Sequence, residues 1–341
     1  MLLAGGLSTR LYPLTKTVPK PLVPVAGVPN AVHLIKYLKS YGCDEIAINV
    51  HYLADAIVAA LGDGSAFGVR LEYLHEPVLM GSAGALKPMQ RFFGDETFVV
   101  VGCDDLTDLS LDELVAVHEK RGAVATIGLV TRDAVDQYGV VVVDADGRIT
   151  GFQEKPAPGT ERSKLVNTGI YVFSPRIFER IPSGTFYDFG KQVFPELLAD
   201  GLPFYGFEAR GAYWCDIGTP GEYRRASADV VNGVFAIPHT RANGADPSAS
   251  IAASAAIDRN VWIGANVRIG HGVRIAGPSV IGDGTIVEDG AALEATIVWE
   301  NSRIGPGARL RDAIVGKETD VAAGSELNGD VVASCQPVES A

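Results

Sequence analysis

The sequence predicts an α/β protein in which a Rossmann-like, mainly parallel sheet domain precedes a left-handed parallel β-helix. In the first two thirds of the chain, short apolar runs alternate with amphipathic segments, which is the pattern of parallel strands joined by helices. From Val261 onward Val or Ile recurs every six residues, often followed by glycine or alanine, as in hexapeptide β-helices. These patterns predict a first domain over residues 1–235, a linker over 236–250 and a β-helix over 251–335.

The composition fits two domains and narrows the classes of partner. The 341 residues are 47% hydrophobic, which supports a full-sized core, and the net charge is −12. Such an acidic chain disfavours nucleic acid and anionic membranes as partners. No apolar run approaches the roughly 20 residues that span a bilayer, and we expect no signal peptide. Four widely spaced cysteines without a Cys-x-x-Cys pair argue against disulfides or zinc and fit a reducing cytoplasm.

The elements of the first domain follow from apolar periodicity and from their end signals. The first helix is predicted over residues 30–42, with Asn30 as its N-cap and Gly42 as its stop. Further helices are predicted over residues 55–61, 80–93, 111–121 and 221–235, and another after residues 187–191. Strands are predicted over 45–50, 69–74, 97–101, 125–130, 149–155 and 165–173, with a hairpin turn at 144–147. Ligands of such a sheet bind at the carboxyl ends of its strands.

The stretch from Leu3 to Leu22 is the strongest candidate for a phosphate-binding loop. Gly5 and Gly6 follow a short strand, and we expect them to turn the backbone with positive φ and to admit a ligand closely. Lys20 lies between two prolines, so its ammonium group is held on a stiff segment. The stretch has neither the Gly-Lys-Ser/Thr of a Walker loop nor the third glycine of a dinucleotide fingerprint. The expected phosphate ligands are the donors of Ser8 and Thr9 and the cations of Arg10 and Lys20.

This stretch resembles the signature of the sugar-nucleotide pyrophosphorylases, roughly Leu-Ala-Gly-Gly-x-Gly-Thr-Arg-Leu-x-Pro-Leu-Thr followed by Pro-Lys-Pro. Enzymes of that family join a nucleoside triphosphate to a sugar 1-phosphate and release pyrophosphate. The chain departs from the pattern in two ways: Ser8 replaces a glycine, and few residues precede the glycines, which indicates a clipped first strand or a misassigned start. The resemblance implies that Arg10 and Lys20 are catalytic and that Leu3, Ala4, Gly5, Gly6, Ser8 and Thr9 bind the nucleotide.

Residues 75–84 are the second candidate segment, because the resemblance assigns recognition of the nucleobase to them. It places Glu76, Gly81 and Ser82 at nucleotide-binding positions. An ionised carboxylate only accepts hydrogen bonds, so Glu76 suits the two adjacent donors of guanine. Thymine and uracil offer one N–H between two carbonyls, which a glutamine would suit better. Glu76 therefore favours GTP, with a solvated loop acid as the alternative interpretation.

Two aspartates at predicted strand ends are the expected metal ligands. Asp104 follows the apolar strand 97–101, and Asp216 lies in Tyr-Trp-Cys-Asp-Ile-Gly. Carboxylate oxygens suit magnesium, which binds one or two carboxylates together with phosphate and water. The resemblance implies that Asp104 and Asp216 hold one magnesium ion, with Asp105 and Asp108 as outer residues or solvent-facing acids. Cys103 and Cys215, next to the two aspartates, are expected to be small buried residues.

The sugar-phosphate residues are assigned by resemblance alone. The family carries Glu-Lys-Pro at a strand end, which matches residues 154–156. By this match Glu154 contacts sugar hydroxyls and Lys155 the sugar phosphate, while the backbone of Gly139 faces the sugar. A later strand holds Asn167 and Thr168, which match the family's sugar-contacting segment.

The resemblance implies in-line attack of a sugar phosphate on the α-phosphorus of a nucleoside triphosphate, with GTP and mannose 1-phosphate as the favoured pair. Thymidylyl or uridylyl transfer to glucose 1-phosphate is the nearest alternative. A non-catalytic regulatory homologue that binds a nucleotide sugar is another, as is a second, acyltransferase activity of the β-helix that uses His271. We expect His271 instead to be a solvent-facing corner residue and the β-helix to mediate homo-oligomerisation.

Overall fold

A computed structural model describes residues 1–238, 240–241 and 243–334. The chain divides into two compact units, each built from separate stretches. The sheet unit consists of Met1–Leu7 and Leu34–Cys215, and the coil unit consists of Ser8–His33 together with the chain from Asp216 onward. Among the described residues no helix combines the length and the apolar character needed to cross a membrane.

Most of the predicted strands and helices up to residue 231 are present, but the short strands at residues 24–25, 28–29, 105–107, 204–208 and 214–216 were not predicted. Two strands, at residues 45–50 and 165–173, have the predicted bounds. The strands are β1 (Leu2–Leu3), β2 (Pro24–Val25), β3 (Val28–Pro29), β4 (Glu45–Val50), β5 (Arg70–His75), β6 (Phe98–Gly102), β7 (Asp105–Thr107), β8 (Ala125–Thr131), β9 (Gly139–Val143), β10 (Ile149–Glu154), β11 (Leu165–Phe173), β12 (Phe204–Glu208) and β13 (Trp214–Asp216). The helices are α1 (Asn30–Ser40), α2 (Ala54–Leu61), α3 (Gly81–Gly84), α4 (Gln90–Phe93), α5 (Leu111–Lys120), α6 (Phe194–Ala199) and α7 (Pro220–Val231).

The central sheet is Rossmann-like on one side and antiparallel on the other. Its order is β10-β9-β11-β6-β1-β4-β5, with β8 pairing with β11 and β12. Strands β6, β1, β4 and β5 are parallel, as predicted, whereas β11 runs antiparallel to β6, β8 and β9. Because β1 lies between β4 and β6, the loop that follows it starts at the carboxyl edge of the parallel half.

The helix predicted over residues 80–93 is broken into three short pieces. Helix α3 is followed by a 3-10 turn, Lys87–Met89, and then by α4. Glycine and proline are the weakest helix formers, and this segment holds both. At Gly84 a side chain would also lie 2.9 Å from the carbonyl oxygen of Thr185. A distant backbone therefore fixes this segment, which local periodicity does not reveal.

The predicted β-helix is confirmed as a stack of parallel coils with three sheet faces. Residues 244 and 245, expected to belong to the linker, already pair with a coil strand. Within the described residues one face has six strands and the other two have five. The strands are β14 (Gly244–Ala245), β15 (Ser250–Ile251), β16 (Ala256–Ile257), β17 (Val261–Ile263), β18 (Arg268–Ile269), β19 (Arg274–Ala276), β20 (Ser279–Ile281), β21 (Ile286–Val287), β22 (Ala292–Glu294), β23 (Ile297–Val298), β24 (Arg303–Ile304), β25 (Arg309–Arg311), β26 (Ile314–Val315), β27 (Asp320–Val321), β28 (Glu326–Asn328) and β29 (Val331–Val332).

Small residues occupy the coil corners because the next coil leaves no space there. At Gly264 a side chain would lie 2.1 Å from Asp283 Oδ1, and at Gly282 it would lie 2.6 Å from the amide nitrogen of Glu300. His271 is an exposed corner residue whose Nδ1 lies 3.2 Å from Ser254 Oγ. The expectation of a solvent-facing histidine is therefore confirmed.

One face of the β-helix is apolar on its outer side as well as its inner side. We call its outward side chains the apolar column, which consists of Trp262, Val280, Ile297 and Ile314; all four are buried. Helix α7 packs against β20 in this column. The corresponding outward positions of the other faces include the exposed residues Arg268, Arg274, Arg303 and Arg309. The apolar column is therefore the face of the β-helix against which α7 packs.

Ile314→Ala should lower the free energy of unfolding by about 2–4 kcal/mol, because it truncates a side chain that is 0% exposed. Arg309→Ala is the matched control on another face, and we expect a change within about 0.5 kcal/mol. Urea unfolding of both variants would measure the difference. Equal effects would contradict the contribution of the buried apolar column to stability.

Candidate active site

Glu76 is buried and bound to the protein rather than solvated. Its Oε2 accepts a hydrogen bond from Asn49 Nδ2 at 2.7 Å, and its Oε1 accepts one from the Met80 backbone at 3.2 Å. Asn49 Oδ1 in turn accepts from the Ala4 backbone at 3.0 Å. A side chain at Gly5 would lie 2.7 Å from both Asn49 Nδ2 and Glu76 Oε2. The carboxylate therefore helps to shape the end of β1, and the alternative of a solvated loop acid is wrong.

Ser8 adopts a left-handed backbone in the glycine-rich loop. Its φ and ψ are 56° and 30°, and its carbonyl oxygen accepts from Thr15 Oγ1 at 2.7 Å. The expectation that Gly5 and Gly6 turn with positive φ is wrong, because neither does. The family glycine at the position of Ser8 is thus explained by the backbone, since a left-handed conformation is costly for residues other than glycine. Thr9 and Arg10 follow in a 3-10 turn, Thr9–Leu11.

Two cations converge on Asp216 within the coil unit. Lys20 Nζ lies 3.4 Å from Asp216 Oδ1, and Arg10 Nη2 lies 3.7 Å from Asp216 Oδ2. The side chain of Lys20 is 12% exposed, whereas that of Arg10 is 51% exposed. At Gly218 a side chain would lie 2.5 Å from Asp216 Oδ1, 2.7 Å from Arg10 Nη2 and 2.8 Å from Lys20 Nζ. Gly218 therefore leaves open the space onto which all three groups face, and this cluster suits an anionic ligand.

Asp104 lies on the tight turn between β6 and β7 in the sheet unit. It is partly exposed, and its Oδ1 lies 2.9 Å from where a side chain at Gly102 would be. Asp216 ends β13, and its side chain is 19% exposed. Both are hard oxygen donors that water can reach, which fits a hydrated divalent cation. Among the described residues no group of three or more His, Cys, Asp or Glu side chains forms a metal site.

The acids beside Asp104 are structural. Asp105 is 3% exposed, so it does not face solvent, and its Oδ1 accepts from Trp214 Nε1 at 2.9 Å. Asp108 is exposed, and its Oδ1 accepts from the Tyr213 backbone at 2.6 Å. Cys103 and Cys215 are buried, as expected. Cys335 lies outside the described residues.

The segment that begins α3 is tied to residues far along the chain. Gly81 has φ +78°, and a side chain there would lie 2.5 Å from the carbonyl oxygen of Tyr187. Ser82 Oγ donates to Asp188 Oδ2 at 2.9 Å and accepts from the Phe189 backbone at 2.9 Å. Asp188 Oδ1 also accepts from the Gly190 backbone at 3.0 Å. Ser82 is thus engaged within the protein, and Asp188, to which the sequence analysis gave no role, holds this segment in place.

Glu154 presents its carboxylate to a corner formed by two glycines. Its Oε2 lies 3.3 Å from where a side chain at Gly139 would be and 2.9 Å from that at Gly190. Burial of the carboxylate raises the pKa of Glu154, the charge of Lys155 opposes this, and Asp188 adds to it. Lys155 has φ 45°, although proline follows it. Residues other than glycine rarely adopt a left-handed backbone, and strained residues of this kind are often found at functional sites.

The side chains of Asn167 and Thr168 are engaged within β11 and its neighbours. Thr168 is 1% exposed, and its Oγ1 donates to the carbonyl oxygen of Gly128 at 2.7 Å. Asn167 Nδ2 donates to the hydroxyl of Tyr171 at 3.0 Å, and its Oδ1 accepts from the Gly169 backbone at 2.9 Å. Asn49 was not predicted as a site residue, because its only local signal is a polar residue within an apolar strand.

Comparisons with known proteins agree with these features. Residues 1–233 match the family model described as nucleotidyl transferase, and residues 241–341 match that of the GMPPB C-terminal domain. A UTP–glucose-1-phosphate uridylyltransferase of Synechocystis is 40% identical over 335 residues, which cover 92% of this chain and 86% of that protein. A mannose-1-phosphate guanylyltransferase of Mycobacterium tuberculosis is 34% identical over 326 residues, which cover 95% of this chain and 81% of that protein. A crystal structure from Bacillus anthracis, described as a glucose-1-phosphate thymidylyltransferase, has a TM-score of 0.59 and 27% identity over 67% of this chain and 92% of that one.

Gly218→Ala should lower pyrophosphate release at least about tenfold, because the methyl group enters the space faced by Lys20, Arg10 and Asp216. The atoms it meets are the ends of flexible side chains, so the thermal midpoint should change little. Gly221→Ala is the matched control, since its nearest neighbour is Thr219 Oγ1 at 4.0 Å. Equal activity of the two variants would show that the cluster tolerates displacement.

Ser8→Gly should raise the free energy of unfolding by up to about 1 kcal/mol, because glycine adopts the left-handed backbone without a steric penalty. Ser8→Ala keeps that penalty and should give no gain. Thermal unfolding of the two variants beside the parent chain would measure the difference. A lower free energy of unfolding in Ser8→Gly would contradict the inference that the backbone of Ser8 is strained.

Proposed function

The chain belongs to the nucleotidyl transferase family, and from this premise we propose that it joins a nucleoside triphosphate to a sugar 1-phosphate, with GTP and mannose 1-phosphate as the first pair. The convergence of Lys20 and Arg10 at the space beside Gly218 carries the proposal. A partly buried lysine and a guanidinium directed at one small space suit phosphate oxygens. This net-negative protein thus concentrates positive charge where an anionic substrate needs it.

The proposed reaction is an in-line displacement. A phosphate oxygen of the sugar 1-phosphate forms a bond to the α-phosphorus, the bond from that phosphorus to the β-phosphate bridging oxygen breaks, and pyrophosphate leaves. The attacking phosphate is already ionised, so no general base is required. Arg10 and Lys20 would bind phosphate oxygens and stabilise the charge that develops on them. Removing either preorganised charge should lower the rate on the order of a hundredfold.

A divalent metal ion suits this family and the residues present. We propose magnesium as that ion, with Asp104 and Asp216 as its protein ligands. When bound, magnesium would neutralise phosphate charge. Asp216 already faces Lys20 and Arg10, so the phosphates, rather than the protein alone, would supply the negative charge that balances all three cations.

The choice of base depends on Glu76. Each carboxylate oxygen has two lone pairs, so one remains on each for a guanine donor after the bonds to Asn49 and the Met80 backbone. The 40% identity to a uridylyltransferase favours a second candidate: UTP with glucose 1-phosphate. For the sugar, we propose Gly139, Glu154 and Lys155 as contacts, together with the backbone near Asn167 and Thr168.

Assembly and location are further parts of the proposal. The charged outer faces of the β-helix, with Arg303 paired to Glu288 at 2.7 Å and Arg311 to Glu294 at 2.8 Å, offer a polar surface for self-association. Residues 251–335 would form this oligomerisation domain, residues 1–235 the nucleotidyltransferase domain, and the cytoplasm would be the compartment. Light scattering of the chain in solution would test the oligomer.

The experiment is a grid of pyrophosphate release for GTP, UTP and dTTP with mannose 1-phosphate and glucose 1-phosphate, with magnesium and with a chelator. We expect GTP with mannose 1-phosphate to be fastest and the chelator to abolish release. Glu76→Gln should lower the preference for GTP, because the amide replaces an acceptor by a donor.

The other outcomes discriminate between the remaining hypotheses. Faster pyrophosphate release with UTP and glucose 1-phosphate would support the second candidate and contradict recognition of guanine by Glu76. No release with any pair, combined with binding of a nucleotide sugar, would favour the regulatory homologue. The thermal midpoint of Glu76→Gln must be measured alongside, since Glu76 also holds Asn49.

A further inference from the structure

The hairpin of β2 and β3, which follows Lys20, is held through its carbonyl groups. The Val23 carbonyl accepts from the Asn30 backbone at 3.0 Å, and the Val25 carbonyl lies 3.0 Å from His33 Nε2. The Pro24 carbonyl accepts from the hydroxyl of Tyr223 at 2.6 Å. Lys20–Leu22 is a 3-10 turn that leads directly into this hairpin, so the hairpin determines where the turn ends.

The hydroxyl of Tyr223 is itself held by the β-helix. Tyr223 is 0% exposed, and burial raises its pKa, so the phenol stays neutral. The Tyr223 hydroxyl has one proton, which it donates in the hydrogen bond to the Pro24 carbonyl. The hydroxyl oxygen accepts a hydrogen bond from Trp299 Nε1 at 2.9 Å. The two rings meet edge to face, with centroids 6.3 Å apart. We call this chain of two hydrogen bonds, from Trp299 through Tyr223 to Pro24, the tyrosine relay.

The hairpin rests on the apolar column at a second point but is not fully packed. At Gly27, which has φ +72°, a side chain would lie 2.1 Å from the ring of Trp262. Beside this contact a cleft of about 240 Å³ separates the hairpin from the coils. Its lining includes Leu22, Pro24, Pro29, Tyr223, Val298 and Trp299. Because the cleft leaves side-chain packing incomplete here, the hydrogen bonds of the tyrosine relay restrain a hairpin that could otherwise shift.

The start of α7 connects the tyrosine relay to the cation cluster. Thr219 caps the helix, its side chain accepting from the Glu222 backbone, and Tyr223 lies in the first turn. Asp216, which faces Lys20, precedes this cap by only a few residues. The start of α7 therefore positions two groups: the carboxylate of Asp216, which faces Lys20, and the hydroxyl of Tyr223, which binds the hairpin.

We propose that Tyr223 and Trp299 are positioning residues that hold Lys20 in place through the Pro24 carbonyl. The β-helix thereby acts on the reaction through two hydrogen bonds, without touching substrate. This inference rests on the proposed function, in which Lys20 binds phosphate.

Tyr223→Phe and Trp299→Phe each remove one donor of the relay and keep an aromatic ring. Each should lower kcat/KM for the best substrate pair about tenfold, because a displaced charge stabilises the reacting phosphates poorly. The two bonds form one chain, so the double variant should lose no more than about twofold beyond the worse single variant. Losses that multiply in the double variant would contradict the relay.

The same Tyr223→Phe change in a Lys20→Ala background separates positioning from general damage. If the relay acts through Lys20, the additional loss should vanish to within about twofold. A tenfold loss that persists without the lysine would overturn the proposal. Tyr73→Phe is the matched control: it removes a tyrosine hydroxyl that donates to the Gly62 carbonyl at 2.7 Å in the sheet unit, and it should leave activity unchanged.

Hydrogen exchange provides a readout that does not depend on activity. Amides of residues 20–30 should exchange faster in Tyr223→Phe than in the parent chain, and Tyr73→Phe should leave them unchanged. Unaltered exchange in Tyr223→Phe would overturn the relay even if the proposed reaction were absent. A parent chain that releases no pyrophosphate, with faster exchange in the variant, would instead reject the proposed function alone.

Discussion

Burial of the apolar column is the interaction on which the geometry of the coil unit depends. A β-helix needs apolar side chains only on its inner side, yet Trp262, Val280, Ile297 and Ile314 point outward and are buried. Full burial of such side chains contributes about 1.5–3 kcal/mol each, which is enough to fix a helix and a hairpin against the coils. Through α7 and the hairpin after Lys20, this burial determines where Lys20 and Asp216 lie relative to each other.

The features that the sequence predicted well are those with a local period or a local end signal. The six-residue repeat defined the coils, and apolar runs placed β4 and β11 at their observed bounds. The features that it missed depend on contacts between distant residues. The break of the helix at residues 80–93 reflects the backbone near Tyr187, and the burial of Asp105 reflects Trp214. The apolar column did have a signal, because apolar residues fill both outward and inward positions of every third strand.

Glycine acts in the candidate site mainly by leaving space. The absence of a side chain at Gly5 leaves room for the hydrogen-bonded pair of Asn49 and Glu76. Gly218 likewise leaves open the space at which Lys20, Arg10 and Asp216 converge. Neither needs a left-handed backbone. The sequence favoured both a positive φ and close approach of a ligand at Gly5, but it could not reveal the neighbours of this residue, because only the fold brings them together.

The division of the coil unit between the two ends of the chain bears on how the protein is made. Ser8–His33 leaves the ribosome early, whereas Trp262, which its hairpin contacts, and Trp299, which binds Tyr223, are synthesised much later. Contacts of such long sequence separation form slowly, and domains otherwise tend to fold from the N-terminus during synthesis. Residues 8–33 therefore reach their final conformation only after the coils have assembled, so a nascent chain that already has its central sheet still lacks the ordered arrangement of Lys20 and Asp216.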